Sequence, residues 1–322
     1  MSATVRGRAG VSLPAGLTRH LGLLAVLLLI GLITALNSSA FLTGTNLLNV
    51  ARQVAVTAVL AAGLTLLMTA GGIDFSLGSI AAVTGGVVAR LIDSGIGGWP
   101  AALAGLAVGA GIGFGNGAVV TVFGVAPFVA TLATSTVLGG TALLIIDGQS
   151  VSIGDHLVEL GFGEVLGVLP APVAVAVLVC LATGLIMRWT AFGRNAFAIG
   201  GNEDAARLAG IPVARTKLLL YTLGGLLAGL GGVMLVARLG AASPGTGGLQ
   251  LELTVVAAVV IGGTALHGGS GTVVGTVLGV VLLGVVANSL NLLQVDAHFQ
   301  EVAVGGVLLI AAITNHLRGR SR

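Results

Sequence analysis

Asp74 is the residue with the clearest chemical potential in a chain that is otherwise strongly apolar. It lies between Gly72 and Ser76 in the segment GGIDFSLGS at residues 71–79, with long apolar runs on both sides. A carboxylate at membrane depth is costly and normally faces a cavity or a polar partner along a substrate or ion pathway. The flanking glycines suit an unwound or re-entrant segment. Two interpretations are open: Asp74 lines a pathway, or it caps the helix that follows.

Few other polar side chains interrupt the apolar runs. Those that could line a polar path are Asn116, Thr131, Thr134, Ser135, Asn288 and Asn291. Each is also a residue type that forms interhelical hydrogen bonds within a helix bundle. Glu252 begins a later apolar run and favours the N-terminus of its own helix. Phe128 follows Pro127 and is either a gate or a side chain that faces lipid.

The motifs of common nucleotide-binding and hydrolytic sites are absent from the sequence. It contains no G-x-x-x-x-G-K-[ST] and no H-E-x-x-H, and its one lysine, Lys217, follows no glycine-rich loop. Cys180 is the one cysteine, which excludes an internal disulfide. Ser270 in the GGSG segment after His267 suggests an intramembrane hydrolase only weakly, because such serines usually just form a turn. We therefore expect a chain that is not an enzyme by itself and binds no cofactor or metal.

The segment at residues 193–217 predicts a short helix with both ends marked. Asn202 is a good N-cap, and Glu203 and Asp204 place negative charge in the first turn, where the helix dipole favours it. Gly210 suits the position just past the helix, and Pro212 prevents continuation.

The helix proper is predicted to span residues 203–209. Glu203 and Arg207 can pair at i, i+4, and Ala205, Leu208 and Ala209 share one face. A helix this short is marginal alone in water, so something should hold it. Two interpretations follow from helix physics: it docks into a partner protein, or it is a capped connector between membrane helices.

Composition places the chain in a membrane. Of its 322 residues, 56% are hydrophobic and 8% charged, and the mean hydropathy is +1.10. A soluble domain carries about 25% charged residues, so this chain could not cover a water-facing surface. The sequence pI is near 10.0, but the basic residues cluster in loops and termini, so we interpret them as topology signals and expect no nucleic-acid partner.

The apolar runs predict an all-α polytopic membrane protein with about ten transmembrane helices. The predicted spans are residues 20–36, 47–69, from the 71–79 segment to about 92, 99–122, 127–146, 171–189, 218–239, 250–266, 271–292 and about 299–316. They form a single transmembrane domain at 20–316, between an N-terminal tail at 1–19 and a C-terminal tail at 317–322. An external loop is expected at 147–170 and a cytoplasmic loop at 190–217.

The basic residues orient this topology. With the N-terminus inside and ten spans, both termini are cytoplasmic, and the inside segments hold 11 of the 14 Lys and Arg residues. These are Arg6, Arg8, Arg19, Arg188, Arg194, Arg207, Arg215, Lys217, Arg318, Arg320 and Arg322. This satisfies the positive-inside rule, and it places the short helix in the cytoplasm and the acidic 147–170 loop outside.

Glycine recurs at intervals of four residues within several spans. The series are Gly105, Gly109, Gly113 and Gly117; Gly225 and Gly229; and Gly271, Gly275 and Gly279. Small residues at this spacing let another helix backbone approach closely. We interpret these faces as packing within one subunit, with a subunit interface as the alternative for the span at 271–292.

Four segments resemble the ribose-type permeases of bacterial ABC importers. They are GGIDFSLGS at 71–79, PFVATLAT at 127–134, GRNAFAIGGNEDAARLAGI at 193–211, and the apolar, glycine-rich stretch at 251–293. The resemblance covers about residues 40–316, and the third and fourth segments are its most specific parts. The chain departs from the family pattern at Phe75, Gly139 and Ser270, where relatives commonly have leucine, arginine and a basic residue. None of these departures touches the capped loop.

The resemblance implies partners. The third segment is similar to the EAA-type loop, whose short coupling helix inserts into a cleft of an ATPase subunit that itself binds ATP and Mg²⁺. The positions that carry this role over are Asn202, Glu203, Asp204, Ala205, Ala206, Arg207, Leu208, Ala209, Gly210 and Ile211. Such permeases work in pairs, often as homodimers, in the bacterial plasma (inner) membrane, with a periplasmic-type or lipid-anchored binding protein outside. Branched-chain amino-acid permeases are related and have a similar loop.

The function implied by the resemblance is passage of a monosaccharide such as ribose, xylose or arabinose. Some members of the family carry an autoinducer, nucleosides or polyols instead. Residues expected to line or gate the translocation pathway are Asp74, Ser76, Phe128, Thr131 and Asn288. An ion-coupled secondary transporter is the alternative class, but it would need intramembrane carboxylates, and Asp74 is the one plausible candidate in the sequence.

Overall fold

The computed structural model describes residues 15–296 together with residues 299, 302, 305 and 306. Within this part, nine helices have 15 or more residues: α1 (Ala15–Asn37), α2 (Gly44–Thr69), α3 (Leu77–Asp93), α4 (Gly98–Thr121), α5 (Pro127–Ile145), α7 (Ala171–Trp189), α10 (Val213–Leu239), α11 (Gly248–Gly262) and α12 (Val273–Leu292). The shorter elements are α6 (Val158–Gly161), α8 (Ala191–Gly201), α9 (Glu203–Leu208), β1 (Val151–Ser152), β2 (Glu164–Val165), β3 (Leu169–Pro170) and β4 (Ala241–Ala242). The predicted tenth span at 299–316 and both tails lie largely outside the described residues.

The predicted all-α polytopic fold is confirmed. Six of the described helices are long and apolar enough to cross a membrane: α2, α4, α5, α7, α10 and α12. The apolar part of α1 at Leu21–Asn37, and α11 at Gly248–Gly262, are shorter. The seventh predicted span, at 218–239, was drawn too short, because α10 already begins at Val213, right after Pro212. Hydropathy missed this first turn since it carries Arg215 and Lys217.

Two long helices end in breaks that lead into two short helices. The 26-residue α2 is followed by residues 70–76 and the 17-residue α3, while the 27-residue α10 is followed by residues 240–247 and the 15-residue α11. At 1.5 Å per residue, α3 and α11 are roughly 25 and 22 Å long, shorter than the ~30 Å apolar core of a bilayer. Their starts meet, because a Cβ on Gly78 would lie 2.3 Å from the carbonyl oxygen of Gly248.

The loops between helices add two small antiparallel strand pairs. Strand β1, in the predicted external loop, pairs with β4, which opens the second break, with Val151 opposite Ala242. Strands β2 and β3 form a hairpin within the same loop. The main apolar core lies among α2, α3, α10 and α11, and includes Leu60, Ile80 and Met234, which are fully buried.

The glycine series pack within the subunit, as interpreted. Helices α4 and α10 cross backbone to backbone: a Cβ on Gly109 would lie 2.5 Å from the carbonyl oxygen of Gly225. Helix α12 packs in the same way on α11, since a Cβ on Gly279 would lie 2.1 Å from the carbonyl oxygen of Ala258. The glycines at 275 and 279 therefore contact this chain's own α11.

This packing predicts a sharp contrast between two glycines of α4. A Cβ on Gly113 would lie 2.3 Å from the carbonyl oxygen of Tyr221, whereas a Cβ on Gly115 meets nothing within 4 Å. Gly113→Ala should destabilise the fold by about 2 kcal/mol through overpacking. Gly115→Ala should change stability by less than about 1 kcal/mol, and in the favourable direction, because alanine is the better helix former. Thermal unfolding in detergent measures both, and equal midpoints for the two variants would contradict the packing.

Candidate functional site

The first break is ordered by the side chain of Asp74. This residue is 1% exposed, and its Oδ1 accepts hydrogen bonds from the Ser76 backbone N–H at 2.8 Å and from the Ser76 hydroxyl at 2.5 Å. Ser76 is the N-cap of α3 but makes no capping bond with its own side chain. The Oδ2 atom of Asp74 accepts no hydrogen bond from any residue that the structure describes. Asp74 therefore stabilises the turn into α3 through Oδ1, while its Oδ2 has no hydrogen-bond donor among the described residues.

Hydrogen bonds tie this break to α4 and α5. Asn116 of α4 donates from Nδ2 to the Ser76 hydroxyl at 2.8 Å, and its Oδ1 accepts from the Thr134 hydroxyl at 2.7 Å. The Phe75 backbone N–H donates to the Thr131 hydroxyl at 3.1 Å. The break is thus held in place by two different helices.

Glu252 is a second buried carboxylate, 1% exposed, whose role the sequence did not reveal. Its Oε1 accepts from the Ser79 backbone N–H at 2.9 Å and from the Ser79 hydroxyl at 2.7 Å. The Ser135 hydroxyl of α5 bonds both carboxylate oxygens, at 2.9 and 3.0 Å. Ser79 lies in the first turn of α3, where backbone N–H groups have no partner within the helix. Glu252 of α11 therefore caps another helix rather than its own.

These residues form one buried polar cluster between α3, α4, α5 and α11. Its members are Asp74, Ser76, Ser79, Asn116, Thr131, Thr134, Ser135 and Glu252. The only signal for Glu252 in the sequence is a carboxylate within an apolar run, the same signal that drew attention to Asp74. Among the described residues, no three acidic, histidine or cysteine side chains come together as a group that could hold a metal ion.

The five predicted pathway residues are only partly together. Asp74, Ser76 and Thr131 belong to the buried polar cluster. Phe128 is 53% exposed and meets Phe75 edge to face, with ring centroids 5.5 Å apart. Asn288 lies elsewhere: its amide exchanges two hydrogen bonds, of 2.8 and 3.0 Å, with the amide of Asn46 in the first turn of α2, whereas Asp74 follows the last turn of α2.

Helix α9 has the caps predicted for it. The Asn202 side chain accepts from the Ala205 backbone N–H at 2.9 Å, and Gly210 has φ +81°. The Ile211 and Gly210 N–H groups donate to the carbonyls of Ala206 and Arg207, each at 3.0 Å, which is the Schellman arrangement. The predicted helix at 203–209 was one residue too long, because Ala209 is the C-cap and the helix ends at Leu208.

The polar side chains of α9 anchor it to α10. Glu203 accepts from Arg207 at 3.1 Å and from Lys217, on the first turns of α10, at 2.5 Å. The hydrogen bond from Lys217 lowers the pKa of Glu203 below its ordinary value. The predicted shared face of Ala205, Leu208 and Ala209 points away from the chain: Leu208 is 90% exposed, whereas the residue buried against the protein is Ala206.

Sequence reasoning missed the helix that precedes α9. Helix α8 begins after Thr190, whose side chain accepts from the Gly193 N–H at 3.1 Å, and it runs into the N-cap of α9. A signal was present in the sequence, because Phe192, Ala196 and Ile199 follow helical spacing. Ser270, considered as a nucleophile, accepts from the Ala265 N–H through its backbone carbonyl and so forms part of a turn.

The fold and these two sites define a class of protein. Long apolar helices, two broken helices that meet at a buried polar cluster, and a capped surface helix are the parts of a membrane transport subunit. The family model for permease components of branched-chain amino acid transport systems matches residues 46–312.

Curated relatives match almost the whole chain. The ribose import permease of Escherichia coli is 40% identical over 318 residues, covering 97% of this chain and 98% of that protein. The ribose import permease of Bacillus subtilis is 41% identical over 92% of this chain and 93% of that protein. The L-arabinose transport system permease of Escherichia coli is 35% identical over 94% and 92%. No solved structure matches the chain.

The chain belongs to this family of transport-system permease components, and its predicted resemblance to the ribose-type permeases is confirmed.

The buried polar cluster predicts that Glu252 stabilises the fold. Glu252→Ala would leave the Ser79 N–H and two hydroxyls buried without their acceptor, and we expect a loss of about 3 kcal/mol. Glu164→Ala, which removes an exposed carboxylate on β2, is the matched control and should be neutral. Thermal unfolding in detergent compares them, and an unchanged midpoint for Glu252→Ala would refute a capping role.

Proposed function

We propose that this chain is the permease subunit of a binding-protein-dependent ABC importer that passes a monosaccharide of the ribose, xylose or arabinose type. The observation that carries the proposal is α9: a helix of six residues, capped at both ends, that projects Leu208 with 90% exposure. Relatives named for ribose and L-arabinose transport support a pentose as the solute.

The energy source in this proposal is a separate ATPase subunit. The sequence has no phosphate-binding loop, so ATP and Mg²⁺ would be held by that partner. A six-residue helix gains little from its own hydrogen bonds, and its two caps and the Glu203 ion pairs preset its shape before binding. Preorganisation of this kind reduces the entropy lost on docking. The exposed Leu208 side chain would enter an apolar cleft of the ATPase as the anchor.

The solute pathway is proposed to run beside α5, between this chain and a second copy. Helix α5 covers the buried polar cluster from one side and exposes Phe128, Val129 and Val137 on the other. Movement of α5 would break the bonds of Ser135 and Thr134 and uncover hydroxyl, amide and carboxylate groups. Such groups hydrogen-bond to sugar hydroxyls. In the present arrangement these groups bond to one another, so the proposed pathway would be closed at this point.

The opposite end of the molecule is proposed to receive the solute-binding protein. We place the N- and C-termini and α9 in the cytoplasm of a bacterium and the 147–170 loop outside its plasma membrane. The hairpin of β2 and β3 presents Leu166 with 95% and Val168 with 79% exposure. Exposed apolar side chains at a loop tip are typical of a docking surface.

A second candidate function rests on the buried carboxylates. Asp74 and Glu252 are both within the membrane fold, and one oxygen of Asp74 has no partner among the described residues. Intramembrane carboxylates of this kind occur in ion-coupled carriers. The same architecture could also pass another small polar solute, such as an autoinducer, a nucleoside, a polyol or a branched-chain amino acid.

Reconstitution in liposomes separates these functions. We expect uptake of radiolabelled ribose only when the ATPase subunit, ATP and a ribose-loaded binding protein are all present, because α9 then has its partner. The chain alone under a sodium or proton gradient should show no uptake. Gradient-driven uptake by the chain alone would instead establish the ion-coupled carrier. ATP-driven uptake of leucine but not ribose would show that the solute is a branched-chain amino acid rather than a monosaccharide.

Leu208→Asp should weaken ATPase binding roughly thirtyfold, the effect of losing an interface anchor of about 2 kcal/mol. Leu166→Asp changes a similarly exposed leucine in the 147–170 loop. It should leave the affinity for the ATPase unchanged and weaken the affinity for the solute-binding protein. Both affinities are measurable on purified protein in nanodiscs. Normal ATPase binding by Leu208→Asp would exclude α9 as the docking helix.

A further inference from the structure

Three separate segments meet at four glycines next to the end of α2. They are Gly71 just after α2, Gly200 near the end of α8, and Gly268 and Gly269 in the turn between α11 and α12. We refer to these four residues as the glycine junction. Gly71, Gly268 and Gly269 have φ of +75°, +90° and +76°, which favours glycine on conformational grounds alone.

Gly200 is different, because it is a helical residue that is required for space. A Cβ at Gly200 would lie 2.0 Å from the carbonyl oxygen of Thr69 and 2.5 Å from the backbone nitrogen of Gly269. That same nitrogen donates to the Thr69 oxygen at 3.0 Å. Backbone atoms of three segments are thus in direct contact, with no side chain between them to absorb a shift.

Each segment that enters the glycine junction leads to a functional element. Helix α8 ends at Gly201, and Asn202, the N-cap of α9, follows at once. Thr69 is the last residue of α2 and precedes the break that holds Asp74. The turn with Gly268 connects α12 to α11, the helix that carries Glu252. The junction is therefore one short segment away from α9 and from Asp74, and it is connected to Glu252 through helix α11.

We propose that Gly200 is a positioning residue, which seats α8 on the end of α2 and on the α11–α12 turn so that a displacement of α9 reaches both the break that holds Asp74 and helix α11, which carries Glu252. This inference rests on the proposed function, since it takes α9 as the place where the ATPase acts. A close-packed backbone contact transmits displacement because it has no slack to compress. The route differs from the one through Glu203 and Lys217, which leads from α9 to α10.

Neighbouring glycines of α8 supply the test. Gly200→Ala forces α8 away from Thr69 by roughly 1 Å, because a Cβ and an oxygen need about 3 Å. Gly201→Ala is the matched control, since a Cβ there meets nothing within 4 Å. In liposomes containing the ATPase and the binding protein, Gly200→Ala should lower ribose transported per ATP hydrolysed by about tenfold and leave ATPase affinity unchanged. Gly201→Ala should match wild type, and a wild-type ratio for Gly200→Ala would overturn the inference.

Hydrogen exchange on the wild-type complex tests the same route without any variant. Addition of the ATPase with a non-hydrolysable ATP analogue should change amide exchange in α9, at residues 70–76 and at residues 264–272 together. A change in α9 alone would overturn the role of the glycine junction and leave the proposed docking intact. No change in α9 would contradict the proposed function itself. Because this experiment uses the wild-type protein, it tests the role of the glycine junction even if Gly200→Ala does not fold.

Discussion

The bond from the Ser79 backbone N–H to Glu252 shows the constraint on which the structure depends. A helix that starts inside an apolar fold has several N–H groups without an intrahelical acceptor, and lipid supplies none. The start of α3 therefore needs acceptors from the protein itself. Asp74 provides one from the preceding turn, and Glu252 provides another from α11. Both carboxylates are needed because the chain is interrupted between α2 and α3, which leaves the first N–H groups of α3 without intrahelical acceptors.

The same constraint accounts for the glycines around the breaks. For Glu252 to reach the first turn of α3, the backbone of α11 must approach that of α3 closely, and Gly78 and Gly248 make this possible. At the other end of α11, Gly262 meets the backbone of Gly275 on α12 in the same way. Capping across helices and close backbone packing thus depend on the same glycines, because larger side chains at these crossings would hold the helices apart.

Sequence alone predicted what depends on local chemistry. The position and caps of α9 were correct to within one residue, because Asn202, Gly210 and Pro212 act on their immediate neighbours. Within the described residues the spans followed from hydropathy, with two exceptions: charged residues such as Lys217 hid the first turns of α10, and the predicted span at 250–266 ran past the end of α11 at Gly262. Asp74 was singled out because it is a carboxylate in an apolar context, but the same reasoning gave Glu252 only a favourable position at the N-terminus of its own helix. Its partners are 173 and 117 residues away in the chain, and only the fold brings them together.

Asn288 and Asp74 were both predicted to line or gate the pathway, and the structure places them near opposite ends of α2. Hydropathy gives the spans in which both lie, but not the end of the bundle at which each meets its neighbours.

Helix α2 connects the regions that sequence reasoning treated separately. Every residue from Ala58 to Thr69 is buried, so this half of the helix cannot bend without disturbing the core on all sides. Its first turn holds Asn288 through Asn46, and its last residue accepts the Gly269 N–H. A packed helix of 26 residues, about 39 Å long, moves as a unit rather than segment by segment. A shift imposed at Thr69 must therefore appear both in the break that holds Asp74 and at the distant asparagine pair, so the two ends of the molecule cannot change independently.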